Sequence, residues 1–189
     1  HYIEPGKVEA ILEAIPDVSK HPTRDSLLFR LLWHSGARIS EALRLTINSI
    51  GLASVTLPNL KQQKLAVKTV DVPAALCQEL KKLGRDGYVF RPNMAASGHL
   101  SRWYAWWILN KASEHARIYI FGKKNMTTGG RLKGVYPSMI RNSSAIDLLK
   151  GTGSTSAVKK RLGHAKISTS KKYLEEVKRD QTQIPGTTT

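Results

Sequence analysis

The chain has 189 residues and carries 30 Lys and Arg against 14 Asp and Glu, a net charge of +16 with a pI near 10.1. With 41% apolar residues it can bury a core despite that charge, which excludes a disordered chain, and no run of about 18 apolar residues offers a membrane-spanning helix. The lone Cys77 excludes a disulfide framework and a cysteine zinc cluster and fits a reducing compartment.

Helical periodicity dominates the chain. Pro5 opens an amphipathic segment in which Val8, Ile11, Leu12 and Ile15 recur at helical spacing, and Pro16 is expected to stop it. A second helix follows Pro22, with Leu27, Leu28, Leu31 and Leu32 as its apolar stripe and Gly36 as its C-terminal cap. Arg38 to Leu45 reads as a third, with Ala42, Leu43 and Leu45 facing inward. From Leu52 to Val72 the pattern becomes β-branched and alternating (Val55 to Leu57, then Val67, Val70 and Val72) around a lysine-rich turn, which predicts a hairpin or small antiparallel sheet. Helix resumes over Pro73–Leu83, and Tyr88 to Phe90 suggest a short strand. Leu100 to about Arg117 sets Trp103, Trp106, Trp107 and Ile108 on one helix; tryptophans could stack on bases, but this spacing reads as core. Residues 122–134, GKKNMTTGGRLKG, read as a loop suited to a phosphate backbone, without the pattern of a P-loop. Three helical pieces follow, over Pro137–Lys150, Ser154–Leu162 and roughly Ser168–Lys178, before a polar tail at 181–189.

Cations are unevenly placed. Residues 123–189 hold 14 Lys and Arg against four acids, and residues 1–122 hold 16 against ten. A polyanion, nucleic acid before others, is the expected partner, felt most strongly by the C-terminal third. The chain opens at His1 with no signal peptide, so it reads as a fragment or processed product of a soluble, cytoplasmic protein.

Several polar residues stand where elements begin or end: Arg38 in SGARISEAL, Lys61 and Lys64 in LPNLKQQK, Arg141 in the first turn of the helix YPSMIRNSSAIDLLKG, His164 in RLGHAKIS and Tyr173 in STSKKYLEE. Each alone has an ordinary structural explanation. Together they suit phosphoryl transfer. Two guanidiniums can clamp the non-bridging oxygens of a phosphodiester, and they stay charged at any relevant pH. A phenol, with an ordinary pKa of about 10, attacks phosphorus only in such a cationic surround and with a proton acceptor nearby. A lysine on a turn can protonate the leaving alkoxide, and a histidine can donate to a phosphate oxygen. The six histidines are scattered and the acids few, so no metal-ligand set and no cofactor are expected.

The order Arg, Lys, Arg, LGH, Tyr resembles the catalytic domain of the tyrosine recombinases, the phage-integrase family. GARISEAL is similar to the segment around that family's first arginine. The intervals from Arg141 to LGHAKIS and from His164 to Tyr173 match the usual ones, and LLKGTG falls at a small-residue break between helices. The resemblance covers about residues 5–178. It implies a mainly helical fold with a small antiparallel sheet, a catalytic domain over residues 1–180, and site-specific recombination of duplex DNA through a 3′-phosphotyrosyl link, without metal or ATP. Arg38 and Arg141 would hold the phosphate, Tyr173 would attack it, His164 would hydrogen-bond it, and Lys61 would act as general acid with Lys64 in reserve.

The family's N-terminal core-binding domain has no counterpart in this chain, and four subunits are expected to assemble on DNA. The chain departs from the pattern at Ser138, three residues before the second arginine, where histidine is usual; serine donates a hydrogen bond but is no base near neutral pH. Asn142 also stands where histidine is frequent. Alternatives are a type IB topoisomerase, a telomere resolvase, and a DNA-binding protein that keeps the scaffold with an impaired site.

Overall fold

A computed structural model describes residues 2–60, 67–84, 86–93, 98–121, 132–163 and 173–175. Lys61, Lys64, His164 and the 181–189 tail lie outside the described residues, as does most of the 122–134 segment and of the helix expected near Tyr173.

Prolines set the first helices. Pro5 begins α1 (Pro5–Glu13), and Pro16, far from ending a helix, sits in the first turn of α2 (Ile15–Val18), where a missing N–H costs nothing. Pro22 begins α3 (Pro22–Ser35), which Gly36 ends in the left-handed conformation at φ 57°. The segment expected to be helical from Arg38 to Leu45 is shorter: α4 is a single turn, Ile39–Ala42, although Ala42, Leu43 and Leu45 are all buried as expected.

Strand β1 (Ser54–Pro58) pairs antiparallel with β2 (Val67–Asp71), with Val55 opposite Val70 and Leu57 opposite Lys68. The core-facing set on β2 is therefore Lys68 and Val70, while Val67 points out at 66% exposure. Helix α5 (Ala74–Lys82) follows as expected. Tyr88 makes one isolated bridge to Thr46 and adds no strand.

Helix α6 (Arg102–His115) buries Ala105, Ile108, Leu109 and Ala112, yet Trp103 is 67% exposed. The 14-residue helix has one core stripe, and Trp103 falls off it. Ile120–Phe121 (β3) and Leu132–Lys133 (β4) form a second, two-residue antiparallel pair, so the segment expected to be loop as far as 134 ends in strand. Helix α7 (Pro137–Thr152) and α8 (Thr155–Leu162) each end on a left-handed glycine, Gly153 and Gly163. Ser154 caps α8 by accepting the Ala157 N–H.

The main core gathers α1 to α6, strand β1 and the first turn of α7 around Phe29, Leu31, Leu32, Leu43 and Phe90. Buried Asp25 knits α3 to α6, accepting from Tyr104 Oη at 2.8 Å and Arg24 Nε at 2.8 Å. A smaller cluster on α7 and α8 (Ala145, Ile146, Leu149, Val158, Leu162) encloses Tyr173. Helix α7 packs on both α3 and α8 and joins the two clusters. The polar residues of interest lie along that junction.

Candidate active site

Gly36 starts the site. Its left-handed backbone turns the chain sharply out of α3 and leaves its carbonyl free of the helix. Two residues on, Arg38 stands at the N-cap of α4 in extended conformation, and Glu41, three residues later, accepts its backbone N–H at 3.0 Å. The other Glu41 oxygen accepts the Arg38 guanidinium at 2.6 Å. Glu41 is completely buried, and a lone carboxylate there would be costly. Lys68 supplies a second counter-charge from β2, its Nζ 2.9 Å from Glu41 Oε2.

Arg141 comes from the second turn of α7, one turn further in than the sequence suggests, because the helix begins at Pro137. Only 6% exposed, it donates from Nη1 to the Gly36 carbonyl at 2.5 Å and from Nη2 to the Leu162 carbonyl at 3.0 Å. One guanidinium thus ties together the turn before Arg38 and the turn that leads into His164. Those turns also touch directly: a methyl group on Gly36 would lie 2.6 Å from Leu162 Cδ2.

Tyr173 is 2% exposed, and its phenol donates to Asn142 Oδ1 at 3.0 Å. Asn142 adjoins Arg141 on α7, so the hydroxyl rests beside the second arginine and contributes to the charge environment of its guanidinium. Arg38, Arg141 and Tyr173 therefore come together from three remote stretches of sequence. Ser138 lies in the first turn of α7 and is exposed, between buried Pro137 and Met139.

Electrostatics follow from burial. Desolvation first, and the neighbouring Arg38 charge second, hold Arg141 down to about 10, while Glu41 and Tyr173 pull the other way. It remains a cation at neutral pH. Burial also lowers Lys68, against the attraction of Glu41. Glu41 is pushed up by its own burial, but Lys68 and the Arg38 hydrogen bonds outweigh that and leave it below the ordinary carboxylate value. Two cations share the Glu41 carboxylate and Arg141 adds a third positive charge beside them, so the locality is net positive and suited to a singly charged phosphodiester.

Glu41 and Lys68 escaped the sequence reading. Glu41 was detectable as the acid three residues after a helix cap, whereas Val67 set against Val70 left open the strand phase that turns Lys68 inward. The part of Asn142 as partner of the phenol had no sequence signal.

The profile described as the phage integrase family matches residues 1–179. The chain belongs to the phage integrase family. Tyrosine recombinase XerD of Mycobacterium leprae (strain TN) is 31% identical over 183 residues, spanning 88% of this chain and 54% of XerD. The chain spans about half the length of the curated relatives it matches. Among solved structures, the XerH site-specific recombinase bound to difH substrate in a pre-cleavage complex aligns with a TM-score of 0.74 at 20% identity, over 98% of this chain and 53% of XerH. The catalytic domain of bacteriophage HP1 integrase aligns at 0.65 and 20% identity, over 97% of this chain and 95% of that domain. The fold is thus that of the catalytic domain of the integrase family: mainly helical, with small antiparallel sheets.

Proposed function

We propose that residues 1–180 are the catalytic domain of a site-specific DNA recombinase that cuts and rejoins duplex DNA through Tyr173. The observation that carries this reading is the meeting of a phenol with two arginines: Tyr173 hydrogen-bonded to Asn142, Arg141 next to it on α7, and Arg38 sharing the charge environment of Arg141. XerH, which has this fold, is seen on its own DNA substrate.

In the proposed step, the Tyr173 oxygen forms a bond to the scissile phosphorus and the P–O5′ bond breaks. The phenolic proton leaves to a base, and Lys61, with Lys64 as the alternative, returns a proton to the 5′ oxygen. Arg38 and Arg141 take the charge that builds on the non-bridging oxygens, and His164 adds a hydrogen bond. Attack by the freed 5′-hydroxyl on the phosphotyrosine reverses every bond change, which is why no ATP is required. The partners are duplex DNA and further copies of the chain, four on two duplexes.

In the DNA-free chain the nucleophile is covered and Arg141 is engaged by two carbonyls. DNA must therefore shift the Tyr173 segment or the Leu162 turn for the phosphate to enter.

A second reading, a DNA-binding protein with an impaired site, draws on exposed Ser138, which cannot serve as the base. A nicked duplex that traps the covalent product separates the two. The recombinase forms an adduct lost in Tyr173→Phe, whereas the impaired scaffold binds and forms none. Joined products from paired sites, against relaxation of plasmid without sequence preference, then separate recombinase from topoisomerase.

A further inference from the structure

Lys68 is unusual for its place. The register that puts Val55 and Val70 on the core side of the hairpin also puts Leu57 opposite Lys68 on that side, at a position where an apolar residue would satisfy the strand. Its side chain is only 9% exposed. Burying an ammonium is expensive, and a well-packed apolar residue commonly replaces a buried ion pair without loss of stability. The strand pairing alone therefore gives no reason for the charge.

What surrounds Lys68 gives one. Its Nζ sits 2.9 Å from Glu41 Oε2, while Glu41 Oε1 takes the Arg38 guanidinium at 2.6 Å. Its stem runs along Gly163, the residue before His164, so closely that a Cβ on that glycine would meet Lys68 Cδ at 3.0 Å. The charges of Arg38 and Arg141 both reach it. One lysine on the hairpin whose connection carries Lys61 and Lys64 thus touches the Arg38 segment and the Leu162–Gly163 turn together.

We propose that Lys68 is a positioning residue of the phosphate site: by sharing the Glu41 carboxylate it fixes the Arg38 guanidinium and keeps it from being neutralised, while its stem seats the hairpin on Gly163. This rests on the recombinase reading, in which Arg38 receives the phosphate. Without Lys68, Glu41 would bind Arg38 as a one-to-one ion pair, and the guanidinium would offer less charge to an incoming anion, in a less defined direction.

Two measurements on the full chain test this. In the first, adduct formation is timed on a nicked duplex whose cleavage site has been selected from a randomised pool. Lys68→Met keeps the stem and removes the charge; it should slow the adduct step by roughly ten- to a hundredfold, the scale of a small misplacement of a catalytic group. Adding Glu41→Gln, which frees Arg38 from an unshared carboxylate, should recover most of that loss. A wild-type rate in Lys68→Met, or a double variant no faster than the single one, overturns the proposal. So does a Lys68→Met chain that fails to fold and is not restored by Glu41→Gln, since the lysine then serves the fold alone.

The second measurement needs no reaction. The Nε–Hε NMR signal of Arg38, assigned by its loss in Arg38→Lys, should be sharp in the DNA-free wild type and displaced or broadened in Lys68→Met; an unchanged signal overturns the proposal. If the wild type forms no Tyr173-dependent adduct, the recombinase reading falls, and the link from Lys68 to Arg38 is judged on this signal.

Discussion

At the scale of single residues, Arg141 shows two opposed effects of similar size. Burial, with the neighbouring Arg38 charge second, lowers its pKa to about 10, a net cost on the order of 3 kcal/mol. Its bonds to the Gly36 and Leu162 carbonyls return a comparable sum, at about 1–3 kcal/mol for each buried acceptor otherwise left unpaired. Arg141→Met should therefore change stability by less than about 2 kcal/mol in urea unfolding, yet abolish covalent DNA cleavage. A collapse of the fold would show that the two carbonyls dominate. Glu41 behaves differently, because its removal strands two cations. Its folded-state pKa lies below the ordinary 4.5, so the stability it confers is complete above pH 4.5 and is lost as pH falls through the folded value. Glu41→Gln should cost roughly 3 kcal/mol at neutral pH and flatten the acid limb of the stability curve. Thermal melts across pH 3 to 7 check both the size and the sign.

At the scale of elements, the turns matter more than the helices. Gly36 ends α3 at a positive φ and lies against Leu162, so Gly36→Ala must carry the left-handed strain of about 1–2 kcal/mol and push Leu162 aside. Since Arg141 holds both turns, cleavage should fall more than stability does, which a parallel comparison of adduct rate and unfolding midpoint reads out. Ser138 is exposed in the first turn of α7, one helical turn before Arg141. Ser138→His should raise the cleavage rate if proton transfer limits it; an unchanged rate would clear the serine.

These elements also show what a sequence reveals. The helix cap at Gly36 was readable because glycine alone enters the left-handed region freely. The hairpin was readable from its β-branched residues. Its phase was not: a shift of one residue exchanges the two faces, and Val67 looks as apolar as Val70 although only the latter faces the core. Lys68 was lost with that phase. Pro16 misled because the same residue that ends one helix is favoured in the first turn of the next. The arginines and Tyr173 were legible through their motifs, whereas the carbonyls that hold Arg141 are backbone groups and leave no mark in a sequence.

At the scale of the whole molecule, with a net charge of +16 the DNA binding proposed above would be driven largely by counterion release. Affinity should drop roughly a hundredfold or more between about 50 and about 200 mM salt, and anisotropy titrations with a labelled duplex would show it. A flat response would mean the basic surface does not meet the phosphate backbone. Among the described residues no helix is long and apolar enough to cross a membrane. Under the proposed function, the smaller cluster around α7 and α8 is the part that DNA would have to rearrange, because it encloses Tyr173 while the main core does not.

The phenol resting beside Arg141 is, in the proposed function, a nucleophile toward phosphorus. The direct measurement is mass spectrometry of the peptide bearing residue 173 after reaction with a nicked duplex and nuclease digestion. A nucleotide 3′-linked to Tyr173, absent in Tyr173→Phe and in Arg141→Met, is the predicted result. Tight DNA binding with Tyr173 unmodified, or a nucleotide attached to another residue, would contradict it.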